Sequence, residues 1–108
     1  MKILIVDDEH LARQRLSRLL EEIGGCTIVG EAGNGKEALL RSSELNPDIV
    51  LLDIRMPEMD GIETAKQLAR LANPPAIVFI TAYTDHALCA FDAHAVDYLV
   101  KPIRKERL

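Results

Sequence analysis

The sequence predicts a three-layer α/β domain built on a parallel sheet. Three observations predict it. Short, continuous apolar runs recur along the chain, amphipathic helical segments lie between them, and a reactive side chain ends most of the runs. Continuous runs, without polar alternation, suit strands buried on both faces, as in a parallel sheet. Strand–helix–strand units close by right-handed crossovers and cover the sheet with helices.

Each element follows in order. Ile3-Leu-Ile-Val6 is the first strand. Ala12, Leu16, Leu19, Leu20 and Ile23 then form one apolar face of a helix, with Arg13, Arg18, Glu21 and Glu22 largely off it. Gly24-Gly25 ends that helix. Cys26-Thr-Ile-Val29 is a weaker run, suited to an edge strand. A second helix spans about 36–45 and is closed by Asn46-Pro47. Ile49-Val-Leu-Leu52 is the third strand. Ile62, Ala65, Leu68, Ala69 and Ala72 mark a third helix that stops before Pro74-Pro75. Ala76-Ile-Val-Phe-Ile80 is the fourth strand. A short, Ala-rich fourth helix runs near Asp85 to Ala93, and Tyr98-Leu-Val100 is the fifth strand.

Composition bounds the function. A chain of 108 residues fits one domain, and 48% apolar residues is too many for a disordered one. Aromatics are only 4%, so Val, Ile, Leu and Ala must build the core. A net charge of −4 speaks against direct reading of nucleic acid, which favours basic surfaces. Cys26 and Cys89 are too few for a disulfide framework and lack zinc-ligand spacing, so reduced thiols in a cytoplasmic protein are expected. No apolar run reaches the ~18 residues of a membrane span. The N-terminus turns acidic after Val6, unlike a signal peptide.

The ionisable residues carry the chemistry. Asp7-Asp8 follow the first strand, Asp53 ends the third, Thr81 the fourth and Lys101 the fifth. In an open parallel sheet, ligands bind outside the carboxyl ends of the strands. These five residues should therefore converge. Three carboxylates ~5 Å apart at an effective dielectric of ~20 repel by about 3 kcal/mol per pair. A hard divalent cation with oxygen ligands relieves this, and Mg²⁺ is the common one. Carboxylates, Mg²⁺, a lysine and a hydroxyl together suit a phosphoryl group. Asp53, alone at the end of a central strand, is the best candidate for a covalent acceptor. Asp7 and Asp8 suit metal binding, directly or through water. The plainer alternative is an acidic cluster with no ligand, which is costly to hold together. His10, His86 and His94 are scattered and suit surface or helix-face roles.

The motifs resemble a known family. Val6-Asp-Asp-Glu9, Leu51-Leu-Asp-Ile-Arg-Met-Pro57 with Asp60-Gly61, Thr81-Ala82 and Lys101-Pro102 occur in the order and spacing of bacterial response regulator receiver domains. The resemblance implies a flavodoxin-like (CheY-like) sheet in strand order 2-1-3-4-5. It implies Asp53 as phosphoacceptor and a Mg²⁺ site of Asp7, Asp8, Asp53 and the Arg55 backbone carbonyl. Thr81 and Lys101 would engage the phosphoryl group, and Tyr98 would change exposure on activation. Lys101-Pro102 would carry a cis peptide bond, which is mostly a proline phenomenon. The partner implied is a sensor histidine kinase. Thr81-Ala-Tyr83, Ala87-Leu88, Ala90-Phe91 and Ala95-Val-Asp-Tyr-Leu99 are similar to receivers of the LytR/AlgR type. Those regulators typically carry a C-terminal LytTR DNA-binding domain, so DNA would be met only through that domain, and the surface changed on activation would favour a partner or a homodimer.

Rival readings are weaker. Gly30-Glu-Ala-Gly-Asn-Gly35-Lys36 matches a P-loop, but Glu37 stands where Ser or Thr must meet Mg²⁺. Gly33-Asn-Gly35-Lys-Glu-Ala38 imitates a dinucleotide motif without following the first strand. Phosphatases with an aspartyl nucleophile often place an acid two residues on, where this chain has Arg55. The chain is thus read as a switch, with at most self-phosphorylation and autodephosphorylation, and not as an enzyme. A degenerate receiver is opposed by the intact Asp7, Asp8, Asp53, Thr81 and Lys101. Residues 103–108 suffice for one turn of a fifth helix, so residues 1–108 are expected to be one receiver domain with its final helix mostly missing.

Overall fold

The structure is a computed structural model. It describes residues 1–54, 56, 59–81 and 97–100, with residues 81 and 97–100 described by their backbone. The elements occur in the order β1 (Lys2–Val6), α1 (His10–Ile23), β2 (Thr27–Ala32), α2 (Gly35–Leu45), β3 (Ile49–Asp53), α3 (Gly61–Leu68), β4 (Ala76–Thr81) and β5 (Asp97–Val100). The strands form one sheet ordered β2-β1-β3-β4-β5, and each neighbouring pair is parallel. That is the expected order. The expected fourth helix over 85–93 and the start of a fifth after Pro102 lie outside the described residues.

The absence of alternation in the strands now has a structural cause. Leu4 and Val6 face one side of the sheet, where they meet Val50, Leu52, Ile77 and Phe79 beneath Ala38 of α2 and Ala65 and Leu68 of α3. Ile3 and Ile5 face the other side, with Leu51 and Ile80 beneath Leu16 and Leu20 of α1. Successive strand residues point to opposite faces, so a sheet dry on both faces needs an apolar residue at every position. Edge strand β2 is less apolar: Thr27 is exposed and Ile28–Gly30 are half-buried. It runs three residues beyond Val29 because Glu31 and Ala32 stay paired with Ile5 and Val6.

The helix limits follow local chemistry. The first helix begins at His10, two residues before its apolar stripe, and ends where Gly24 and Gly25 take positive φ values of 77° and 75°. There a side chain would be strained. The second ends on Asn46, whose left-handed conformation (φ 47°) is one that Asn tolerates. The third is shorter than expected. Regular helix stops at Leu68, and the apolar stripe does not continue through Ala69 and Ala72, which are exposed. Arg70 N–H instead donates to the Gln67 carbonyl (3.1 Å) and Leu71 N–H to the Leu68 carbonyl (3.2 Å). These bonds tighten the last turn. They bring Leu71 against the core, where it is partly buried.

Candidate functional site

Parallel register aligns the acidic residues. Val6 of β1 pairs with Leu52 of β3, so Asp7, just past the end of β1, is level with Asp53, the last residue of β3. The chain goes from β1 to β2 on one side and later to β3 on the other. The carboxyl end between β1 and β3 is therefore the topological switch point of the sheet, where open α/β folds form their crevice. Asp8 lies in the loop that follows β1. One carboxylate oxygen from each of Asp7, Asp8 and Asp53 lies within 4.8 Å of the others. Asp7 (1% exposed) and Asp53 (6%) are buried, and Asp8 is exposed. Oxygen donors this close, with one edge open to solvent, fit a hard divalent cation.

The loop after β1 is tied down at several points. Asp7 N–H donates to the Ala32 carbonyl (3.1 Å), and Glu9 N–H donates to Asp7 Oδ1 (2.9 Å). Arg13 Nη1 donates to the Asp7 carbonyl (2.7 Å), while its Nε donates to Glu31 Oε1 at 3.0 Å. Sequence periodicity put Arg13 largely off the buried face of α1. Its side chain is in fact 18% exposed and reaches across the β1–α1 loop to β2. Helical spacing reports the core-facing stripe of α1, and it carries no signal for a contact made along the helix flank.

Beyond β3, the chain returns sharply. Gly61 N–H donates to the Ile54 carbonyl (2.7 Å), and a Cβ on Gly61 would fall on the Asp53 carbonyl oxygen. Glycine is required there by close approach. Asp60 caps α3 by accepting Glu63 N–H at Oδ1 (2.9 Å). The backbone of Asp53 is thus held between its own strand and the start of α3.

The other expected site residues are placed as follows. Ile80 pairs with Asp53, so Thr81 is one residue beyond the level of Asp53 on β4, and its backbone pairs with Val100. Tyr98 pairs by its backbone with Phe79. Arg55, Lys101 and Pro102, with the expected cis bond, lie outside the described residues. So do His86, Cys89 and His94. His10 is exposed at the start of α1, and Cys26 is a free thiol. The P-loop resemblance has a local origin. Glu37 N–H donates to Asn34 Oδ1 (2.9 Å) and Gly33 N–H to Glu37 Oε2 (3.0 Å). These are helix-capping bonds, and they occupy amides that a phosphate would need. Among the described residues, no helix is long and apolar enough to cross a membrane.

Comparison with known proteins agrees with this fold. Residues 3–108 match the family described as the response regulator receiver domain. The chain is 52% identical, over 109 residues, to the positive alginate biosynthesis regulatory protein of Pseudomonas aeruginosa, covering 100% of this chain and 44% of that protein. It is 47% identical over 108 residues to the sensory transduction protein LytT of Bacillus cereus, again covering 100% of this chain and 44% of the relative. It therefore spans less than half the length of these two relatives. Among solved structures, the response regulatory domain of protein MrkE from Klebsiella pneumoniae superposes with a TM-score of 0.89 at 40% identity, over 99% of this chain and 88% of that one.

Proposed function

The chain belongs to the response regulator receiver domain family, and we propose that Asp53 is the residue through which it receives its signal, as a phosphoryl group from a sensor histidine kinase. One observation carries this reading: Asp7, Asp8 and Asp53 meet at the carboxyl ends of two neighbouring parallel strands. A carboxylate oxygen of Asp53 bonds to phosphorus as the P–N bond of a phosphohistidine breaks. The electron pair returns to the imidazole nitrogen, which takes up a proton. The product is an acyl phosphate.

Asp7, Asp8, Asp53 and the Arg55 backbone carbonyl are the proposed ligands of Mg²⁺. When bound, Mg²⁺ screens the carboxylates and neutralises phosphoryl oxygens. Asp7 and Asp53 are held by the sheet, while exposed Asp8 leaves an edge through which the donor enters. Thr81 donates a hydrogen bond to the new phosphoryl group, and Lys101 pairs with it. Tyr98 follows the movement of Thr81 and changes the surface beside β5. A switch from 1:99 to 99:1 needs about 5.5 kcal/mol of differential stabilisation. Charge-assisted hydrogen bonds of ~1.5–3 kcal/mol each supply that amount.

The domain is a signalling switch, with at most self-phosphorylation from small phosphodonors and autodephosphorylation as its own chemistry. Residues 1–108 form the receiver unit of a longer cytoplasmic regulator. The coverage of 44% of the alginate regulator and LytT supports a further output region. That region is a C-terminal LytTR-type domain that contacts DNA, and phosphorylation favours binding of a partner or of a second copy.

The test is incubation with Mg²⁺ and acetyl phosphate or phosphoramidate, followed by intact mass. Wild type gains one phosphoryl group and Asp53→Asn gains none. An equal adduct on Asp53→Asn removes Asp53 from the acceptor role.

A further inference from the structure

Arg13 does something that neither its place off the apolar stripe nor the proposed chemistry of the site accounts for. Its guanidinium joins three segments. Nη1 donates to the Asp7 carbonyl at 2.7 Å, Nε pairs with Glu31 on β2 at 3.0 Å, and Nη2 lies 3.3 Å from His10 Nδ1 at the start of α1. It also packs on the turn after β2: a Cβ at Gly33 would stand 3.5 Å from Nη1. The side chain is 18% exposed, so it is held in a cleft and is not a freely moving surface arginine.

The bonded carbonyl belongs to the peptide that joins Asp7 to Asp8. That peptide is planar, so holding its oxygen fixes the plane from which Asp8 departs. The preceding peptide is fixed by the bond from Asp7 N–H to the Ala32 carbonyl. Both peptide planes at Asp7 are therefore anchored, one by the sheet and one by Arg13. The peptide after Asp8 is held as well, because its N–H, that of Glu9, donates to Asp7 Oδ1 at 2.9 Å. With the peptides on both sides of Asp8 anchored, the direction in which its carboxylate leaves the chain is set. Glu31 balances the charge of Arg13 beside a site made for cations.

We propose that Arg13 is a positioning residue that sets the Asp8 carboxylate against those of Asp7 and Asp53, an inference that rests on the metal-binding reading of that cluster. Arginine suits the task because its planar fork serves two acceptors at fixed angles, whereas an ammonium is a point donor. Charge and position predict opposite signs. Removing a positive charge beside a cation site would, by Coulomb's law alone, tighten cation binding. Losing the anchor of a ligand loop weakens it.

The test is titration of the 108-residue chain with Mg²⁺ by calorimetry, at a temperature where circular dichroism shows each variant folded. Arg13→Ala weakens Mg²⁺ affinity by about tenfold, the usual effect of losing a residue that orients a ligand. Arg13→Lys keeps the charge and also weakens binding, which carries the test if the alanine variant does not fold. Leu16→Ala, which thins the core under α1, lowers the melting temperature and leaves the affinity unchanged. Amide exchange at Glu9, whose N–H is held by Asp7, speeds up in Arg13→Ala. Wild-type or tighter affinity in Arg13→Ala, full recovery in Arg13→Lys, or an equal loss in Leu16→Ala overturns the inference. A wild-type isotherm unchanged by both Asp8→Asn and Asp53→Asn overturns the metal reading instead, and the role of Arg13 falls with it.

Discussion

Asp53 and Asp8 reach the same place by different routes. Asp53 is the last residue of a buried strand, so the sheet positions it directly. Asp8 is exposed and lies in a loop. It adds a charge that repels its neighbours, which a protein tolerates where a cation is to bind. Asp8→Ala should therefore weaken Mg²⁺ binding markedly in a calorimetric titration while leaving the fold intact, and unchanged affinity would remove it from the ligand set. Gly61 presents the reverse case, a residue with no functional group whose missing side chain the turn after β3 requires. Its missing Cβ leaves room for the Asp53 carbonyl. Gly61→Ala should cost about 1–3 kcal/mol through overpacking. It should also slow phosphoryl uptake from acetyl phosphate, because the strain falls on the backbone of Asp53. The Asp-Gly pair at 60–61 was visible in the sequence, but the contact that demands glycine joins residues eight apart and had no local sign.

The helices show which features of an element are written locally. Asn34 and Glu37 cap α2 through bonds within five residues, and that cap accounts for the Gly-rich stretch that imitates a phosphate loop. Asn34→Ala should lower stability by ~1 kcal/mol. For a domain of this size that is roughly 4–8 °C in melting temperature, read by circular dichroism. The end of α3 was not local. Ala69 and Ala72 continue an apolar period in the sequence, yet the chain leaves the helix at Leu68 and turns Leu71 inward. A larger side chain reaching the core outweighs two alanines that bury little area. The strands were read more easily than the helices, because a short run with an apolar residue at every position suits little besides a strand covered on both faces. The end of β2 was read less well: the strand is carried past Val29 by backbone pairing, which no side chain announces.

Among the described residues the core forms two clusters, and the sheet joins both to the site. Among the described residues, Phe79 is the largest fully buried side chain, central on β4 in a chain poor in aromatics. Phe79→Ala should cost about 3–5 kcal/mol, a large share of the roughly 5–15 kcal/mol that holds a domain of this kind. Chemical denaturation should show a correspondingly lower midpoint. Cation binding should act in the opposite direction on the whole molecule. At about 100 times its Kd, Mg²⁺ should add about 2.7 kcal/mol to stability, seen as a higher melting temperature that EDTA reverses. Asp8→Ala should lose most of that increment. Fold class, strand order by resemblance, and the identity of the acidic residues were all legible in the amino-acid order. Periodicity and motif spacing are properties of neighbours along the chain. The level placement of Asp7 with Asp53, the need for glycine at 61 and the reach of Arg13 to the Asp7 carbonyl were not. They depend on register between strands and on the path of loops through space, which arise only when the sheet has assembled and its helices have packed against it.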